Sequence, residues 1–160
     1  RPGKSYALIL LEIDNLQDIT SRFGHSMGDA FLRLLGRITQ EPAKNRSHAG
    51  HIRDSQFVLF LPETTAAEAG AIAQRISRSL KSETAQASKE RLAATVSAGL
   101  FYGGTGTSLE RALEIADHCL GRAKSAGGNR IVANDQAIGG PLKPETLTPP
   151  FAIRSFSRLP

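Results

Sequence analysis

The sequence predicts an α/β (α+β) fold, a mixed sheet with helices packed on its faces, and three observations carry that prediction. Tyr6-Ala-Leu-Ile-Leu-Leu-Glu-Ile13 is a short, nearly continuous apolar run, as expected of a strand buried on both faces. Met27, Phe31, Leu34, Leu35 and Ile38 recur at helical spacing and stop before Pro42. Gly50 to Leu61 reads as two strands joined by a tight turn at Arg53-Asp54-Ser55, with Pro62 ending the second.

The remaining elements follow in order. Leu16 to Phe23 is a short helical stretch broken by Gly24. Thr64 or Thr65 can cap a helix running through Leu80, and Glu68 completes a capping box with Thr65. A polar stretch from Lys81 to Lys89 leads to a strand at Ala93 to Tyr102. Gly103-Gly104-Thr105-Gly106 is a loop, Ser108 caps a helix to about Ala126, Gly127-Gly128 ends it, and Arg130-Ile-Val132 is a short last strand. Ile9, Leu11, Ile13, Phe31, Leu35, Phe57, Leu59, Leu61, Val96 and Leu120 fit core positions. Residues 1–133 are therefore expected to form one domain. Residues 134–160 hold five of the eight prolines and read as a linker or tail towards a further domain, with Phe151, Ile153 and Phe156 available to pack back.

Composition narrows the function classes. The net charge of +5 raises nucleic acid as a partner, but the basic residues are scattered through helical segments beside acids, and two tyrosines with no tryptophan offer little for base stacking. A solvated basic surface is the plainer reading. Cys119 is the sole cysteine, so a disulfide within the chain and a cysteine-based zinc site are both excluded. A reducing compartment follows, and the cytoplasm is the expected location. No apolar run approaches the roughly 20 residues that span a bilayer. His25 reads as a helix-start residue, and His51 and His118 are not expected to be metal ligands, since neither matches a zinc-site spacing. The loop at Gly103 lacks the Lys-Ser/Thr that a phosphate-binding loop would carry.

Three segments together resemble the GGDEF (diguanylate cyclase) family. Leu11-Glu-Ile-Asp-Asn-Leu-Gln-Asp-Ile-Thr-Ser-Arg-Phe-Gly-His-Ser-Met-Gly-Asp29 is similar to its D-I-D-x-F-K-x-I-N-D-x-x-G-H-x-x-G-D pattern. His51-Ile-Arg-Asp-Ser-Gln-Phe57 stands where R-x-G-G-D-E-F is expected. Thr95-Val-Ser-Ala-Gly99 and Ala116 to Asn129 resemble T-x-S-x-G and A-D-x-A-L-Y-x-A-K-x-x-G-R-N. The resemblance covers roughly residues 5 to 133. It implies a nucleotidyl cyclase-like fold, with a central mixed, mostly antiparallel, five-stranded sheet flanked by helices.

It also implies a site. The signature becomes Arg53, Asp54, Ser55, Gln56 and Phe57. The metal ligands map to Glu12, the carbonyl of Ile13, and Ser55, which carries no charge. The guanine readers map to Thr20 and Asp29, and the phosphate-side lysine and arginine to Lys124 and Gly128. The product-inhibition motif falls on Lys44 and Ser47. With a member altered at each subsite, the expectation is a catalytically inactive regulatory or docking module in cyclic di-GMP signalling, with no metal and no cofactor. Magnesium and GTP enter only on alternative readings, a GTP-binding allosteric module or a residual cyclase using Glu12, Asp14 and Asp29. The partners implied are an EAL domain of the same chain and other signalling proteins, with a homodimer as the assembly. Arg53 to Phe57 also resembles the signature of FimX-like pilus regulators, which pair GGDEF and EAL domains.

Overall fold

The computed structural model describes residues 5–41, 48–53, 55–104, 106–134 and, by their backbone, 153–158. In chain order these form β1 (Ser5–Ile13), α1 (Leu16–Phe23), α2 (His25–Gln40), β2 (His48–Ile52), β3 (Gln56–Pro62), α3 (Ala66–Ala87), β4 (Val96–Gly104), α4 (Leu109–Ser125), β5 (Ile131–Ala133) and β6 (Ile153–Arg158). The sheet order is β5-β4-β1-β3-β2-β6. Only β4 and β5 run parallel, and the other neighbours are antiparallel.

β1 lies in the middle of the sheet and divides the core in two. Its alternate side chains point to opposite faces. Ala7, Ile9, Leu11 and Ile13 meet Phe31, Leu35 and Ile38 of α2 and Ala73, Ile76 and Leu80 of α3. Tyr6, Leu8 and Leu10 face the other way, onto Ala112, Leu113, Ala116 and Leu120 of α4. A strand covered on both sides has to read as an unbroken apolar run, which is how it appears in the sequence. On the α4 face the helix rests directly on β4: a Cβ on Gly99 would lie 2.0 Å from the Ala116 carbonyl oxygen, so only glycine fits there.

Five of the six strands are those the sequence predicts. The sixth is β6, drawn from the proline-rich stretch assigned to a tail, which pairs with the edge of β2 with a bulge between His51 and Ile52. A second difference is α3, which runs on to Ala87 rather than ending at Leu80. The polar stretch hides a continuing buried stripe, Ala73, Ile76, Leu80, Thr84. The Thr84 hydroxyl donates to the Leu80 carbonyl at 2.6 Å and accepts from the Ala94 amide at 2.8 Å, so a polar residue is buried at no hydrogen-bond cost. The expected capping box at Thr65 and Glu68 is present. Of the expected core residues only Phe57 departs: it is half-buried, lying against Gly36 of α2.

Candidate functional site

The site lies where β1 runs out. Past Ile13 the chain turns through Asn15, in the left-handed region at φ 57, and enters α1. Gly24 at φ 99 then reverses it into α2, and the two helices cross closely. A Cβ on Gly28 would stand 2.6 Å from the Thr20 hydroxyl oxygen. From the far side, α4 ends at Gly127 and Gly128, with φ of 117 and 75. Between them opens a cleft of about 1040 Å³, lined by Glu12, Thr20, Asp29, Ser55, Lys124 and Gly128 among others. That matches the upper end of the volumes that hold small-molecule ligands.

Two acids at the end of β1 are held in different ways. Asp14 accepts hydrogen bonds from the Thr95 hydroxyl at 2.6 Å, the Ser97 hydroxyl at 2.5 Å and the Asn129 amide at 2.8 Å. It ties the start of β4 to the turn after α4, which makes it an anchor of the cleft wall. Glu12 accepts from the Gln56 side-chain amide at 3.0 Å and from the Lys124 ammonium at 3.1 Å, one on each oxygen. Gln56 is brought there by the antiparallel register, which sets it directly opposite Glu12. It is buried, and its carbonyl oxygen has no hydrogen-bond partner among the described residues. An unmatched buried acceptor costs about 1–3 kcal/mol.

The structure places Glu12, Ile13, Ser55, Thr20, Asp29, Lys124 and Gly128 around one cleft. Arg53 stands apart on the exposed β2–β3 turn at φ 60, and Phe57 faces α2. Asp54, Lys44 and Ser47 lie outside the described residues. Gly128 has a reason of its own for being glycine. Its φ is positive, and an added Cβ would come within 2.9 Å of Asp14 Oδ1, so a side chain there would strain the backbone and press on the anchor. Sequence reasoning missed the anchoring role of Asp14. The signal was the Thr95-x-Ser97 pair, two hydroxyls on the same face of a strand. Cys119 is buried on α4, and burial pushes its thiol up, partly offset by Arg122.

A magnesium ion takes hard oxygen ligands in a near-octahedral shell, including one or two carboxylates. Ser55 supplies no charge, and Glu12 and Asp14 each already accept hydrogen bonds on both carboxylate oxygens. The described residues contain no group of three or more His, Cys, Asp or Glu able to hold a metal. The side chains present do not fit a resident divalent cation.

Fold and cleft together define an α+β domain with a nucleotide-sized site at the end of its central strand. The family model described as "Diguanylate cyclase, GGDEF domain" matches residues 1–130, and the chain belongs to that family. It is 31% identical over 138 residues to the uncharacterized protein YhcK of Bacillus subtilis, covering 84% of this chain and 38% of YhcK. It is 26% identical over 129 residues to diguanylate cyclase A of Treponema denticola, covering 80% and 35%. The active GGEEF domain of a Vibrio cholerae diguanylate cyclase superposes with a TM-score of 0.74 at 23% identity, over 83% of this chain and 85% of that one, and so shares the fold. The chain spans little more than a third of the length of these curated relatives. The expectation of a domain that is not an enzyme is corrected by these findings: the family is one of cyclases, and a relative bears the name diguanylate cyclase. No described helix is long and apolar enough to cross a membrane.

Proposed function

We propose that this domain binds a guanosine triphosphate in the cleft between Glu12 and Gly128 and carries out the family's cyclase chemistry slowly, as one unit of a larger protein in cyclic di-GMP signalling. The observation that carries this reading is that Asp29 and Lys124, an acceptor suited to guanine and a cation suited to phosphate, line one cleft of nucleotide size.

The roles follow from the chemistry of the groups. The Asp29 carboxylate accepts from the ring N–H and exocyclic amine of guanine, donors that adenine does not offer at those positions. Thr20 adds one hydroxyl, and Gly127 and Gly128 allow a close backbone approach. Lys124 meets the phosphates as a point charge. In the family's reaction a 3′-hydroxyl attacks the α-phosphorus of a second GTP held by a facing copy; the new P–O3′ bond forms as the α–β phosphoanhydride bond breaks, pyrophosphate leaves and the hydroxyl proton passes to solvent. With Ser55 contributing no charge, the developing negative charge is poorly compensated, and the rate falls accordingly.

Calorimetric titration with GTP and ATP tests the reading. GTP is expected to bind with a Kd tighter than about 100 µM, corresponding to roughly −5.5 kcal/mol. ATP should bind at least tenfold more weakly, and Asp29→Ala should abolish the difference, since a lost charged hydrogen bond costs about 1.5–3 kcal/mol. Equal binding of the two nucleotides by the unaltered protein would remove the guanine assignment.

A further inference from the structure

The Glu12 centre contains a positive charge of its own. Lys124 reaches it from the last turn of α4, 112 residues away in sequence, and sets its ammonium 3.1 Å from Glu12 Oε2. The other carboxylate oxygen takes the Gln56 amide at 3.0 Å. These are contacts between three separate elements, β1, β3 and α4, so the arrangement is held by the tertiary structure and does not depend on one flexible loop. Gln56 is 7% exposed, and its carbonyl oxygen has no partner among the described residues. A buried amide in that state is held by what its nitrogen end binds, which here is Glu12.

The charges at this centre agree with the contacts. Glu12 contributes one negative charge, and Lys124 balances it. Asp14 nearby is satisfied by three neutral donors that also fix its position. A divalent cation entering here would have to displace the Lys124 ammonium from Glu12 and draw on Ser55 and Ile13 for neutral oxygens. Glu12 facing an internal ammonium, with Asp14 turned to three donors of its own, is a weak offer to a strongly hydrated dication.

We propose that the Lys124 ammonium, together with the Gln56 amide, occupies the place of a divalent cation on Glu12, making this a lysine–carboxylate centre that meets the nucleotide's phosphates without a metal held by the protein. The inference concerns the ion at Glu12 and rests on the nucleotide reading only for the identity of the phosphate. Ser55 is the position that decides between the two kinds of centre. It lines the same cleft, and a carboxylate there would give Glu12 a second negative neighbour. The excess charge would then favour a dication over the lysine.

Manganese is the probe, followed by the loss of the free-ion paramagnetic resonance signal on adding protein, in the absence of nucleotide. The unaltered protein is expected to bind Mn²⁺ more weakly than about 1 mM. Ser55→Asp should tighten binding at least roughly tenfold, because affinity for hard cations follows the number of charged oxygen ligands. Gln56→Glu, which sets a second carboxylate against Glu12, should do the same and serves as an independent variant if the first alters the turn. Circular dichroism establishes that both variants fold. Mn²⁺ binding by the unaltered protein below about 100 µM would overturn the proposal, as would the absence of any gain in both folded variants. GTP binding is measured on the same samples. Its absence would remove the nucleotide reading and leave the manganese result to decide this one.

Discussion

The interior of the sheet and the cleft at its end are built from the same strand, but they are held together differently. Along β1, Leu8, Ile9, Leu10 and Leu11 are fully buried and packed from both faces by three helices, so shape and apolar area fix them. Beyond Leu11 the polar residues Glu12 and Asp14 flank the buried Ile13, and around them individual hydrogen bonds and charges take over. Within that short polar stretch there is a second contrast. Both acids line the cleft, but Asp14 is bound by three donors that tie the start of β4 to the turn after α4, whereas Glu12 is bound by Lys124 and Gln56. The comparison teaches that an acid near a cleft need not belong to its chemistry. What distinguishes the two is which partners hold them.

That contrast can be broken at several points. Leu10→Ala should cost about 2–5 kcal/mol in urea unfolding, because it removes a fully buried side chain beneath α4. Asp14→Ala should cost about 3 kcal/mol, since it strips three hydrogen bonds from a charged acceptor and leaves the Thr95 and Ser97 hydroxyls unmatched. Glu12→Gln, two residues earlier, should cost less than about 1 kcal/mol, because the Lys124 side chain is 48% exposed and water screens the pair. If Glu12→Gln proved as destabilising as Asp14→Ala, the division between anchor and ligand-facing acid would fail.

A comparably small effect lies far from both regions. Thr65→Ala should cost about 1 kcal/mol by removing the cap of α3. The same box gives a pH signature. Glu68 is held below its ordinary 4.5 by hydrogen bonds from the Thr65 backbone and side chain. A depressed carboxyl stabilises the fold above its unfolded value, and that contribution is lost as pH falls through the folded value. The stability difference between the unaltered protein and Thr65→Ala should therefore shrink below about pH 4.5.

Much of this molecule is legible in its sequence, and the parts that are not have physical causes. β1, the β2–β3 hairpin and the capped start of α3 announce themselves through local patterns of apolarity and turn chemistry. The last turns of α3 do not, because Thr84 is buried through two hydrogen bonds that a hydropathy pattern cannot show. β6 is hidden by the prolines around it, since its order comes from pairing with β2 and not from its own composition. In the cleft, the residue types can be mapped by resemblance, but their partners cannot. Glu12 finds Lys124 across 112 positions, and Asp14 finds Asn129 across 115. The glycine at position 128 looks like the loss of an arginine in sequence. In the structure it is the residue that lets Asp14 approach the turn.

Amide chemical shifts of the isotopically labelled protein, followed while GTP is added, report where the nucleotide sits. Saturable shifts are expected at Thr20, Asp29, Lys124 and the Gly127–Gly128 turn, while the second groove, between α2 and α3 and lined by Arg37, Arg75 and Glu83, stays unmoved. Shifts centred on that groove, or a spectrum unchanged at saturating GTP, would contradict GTP binding in the cleft.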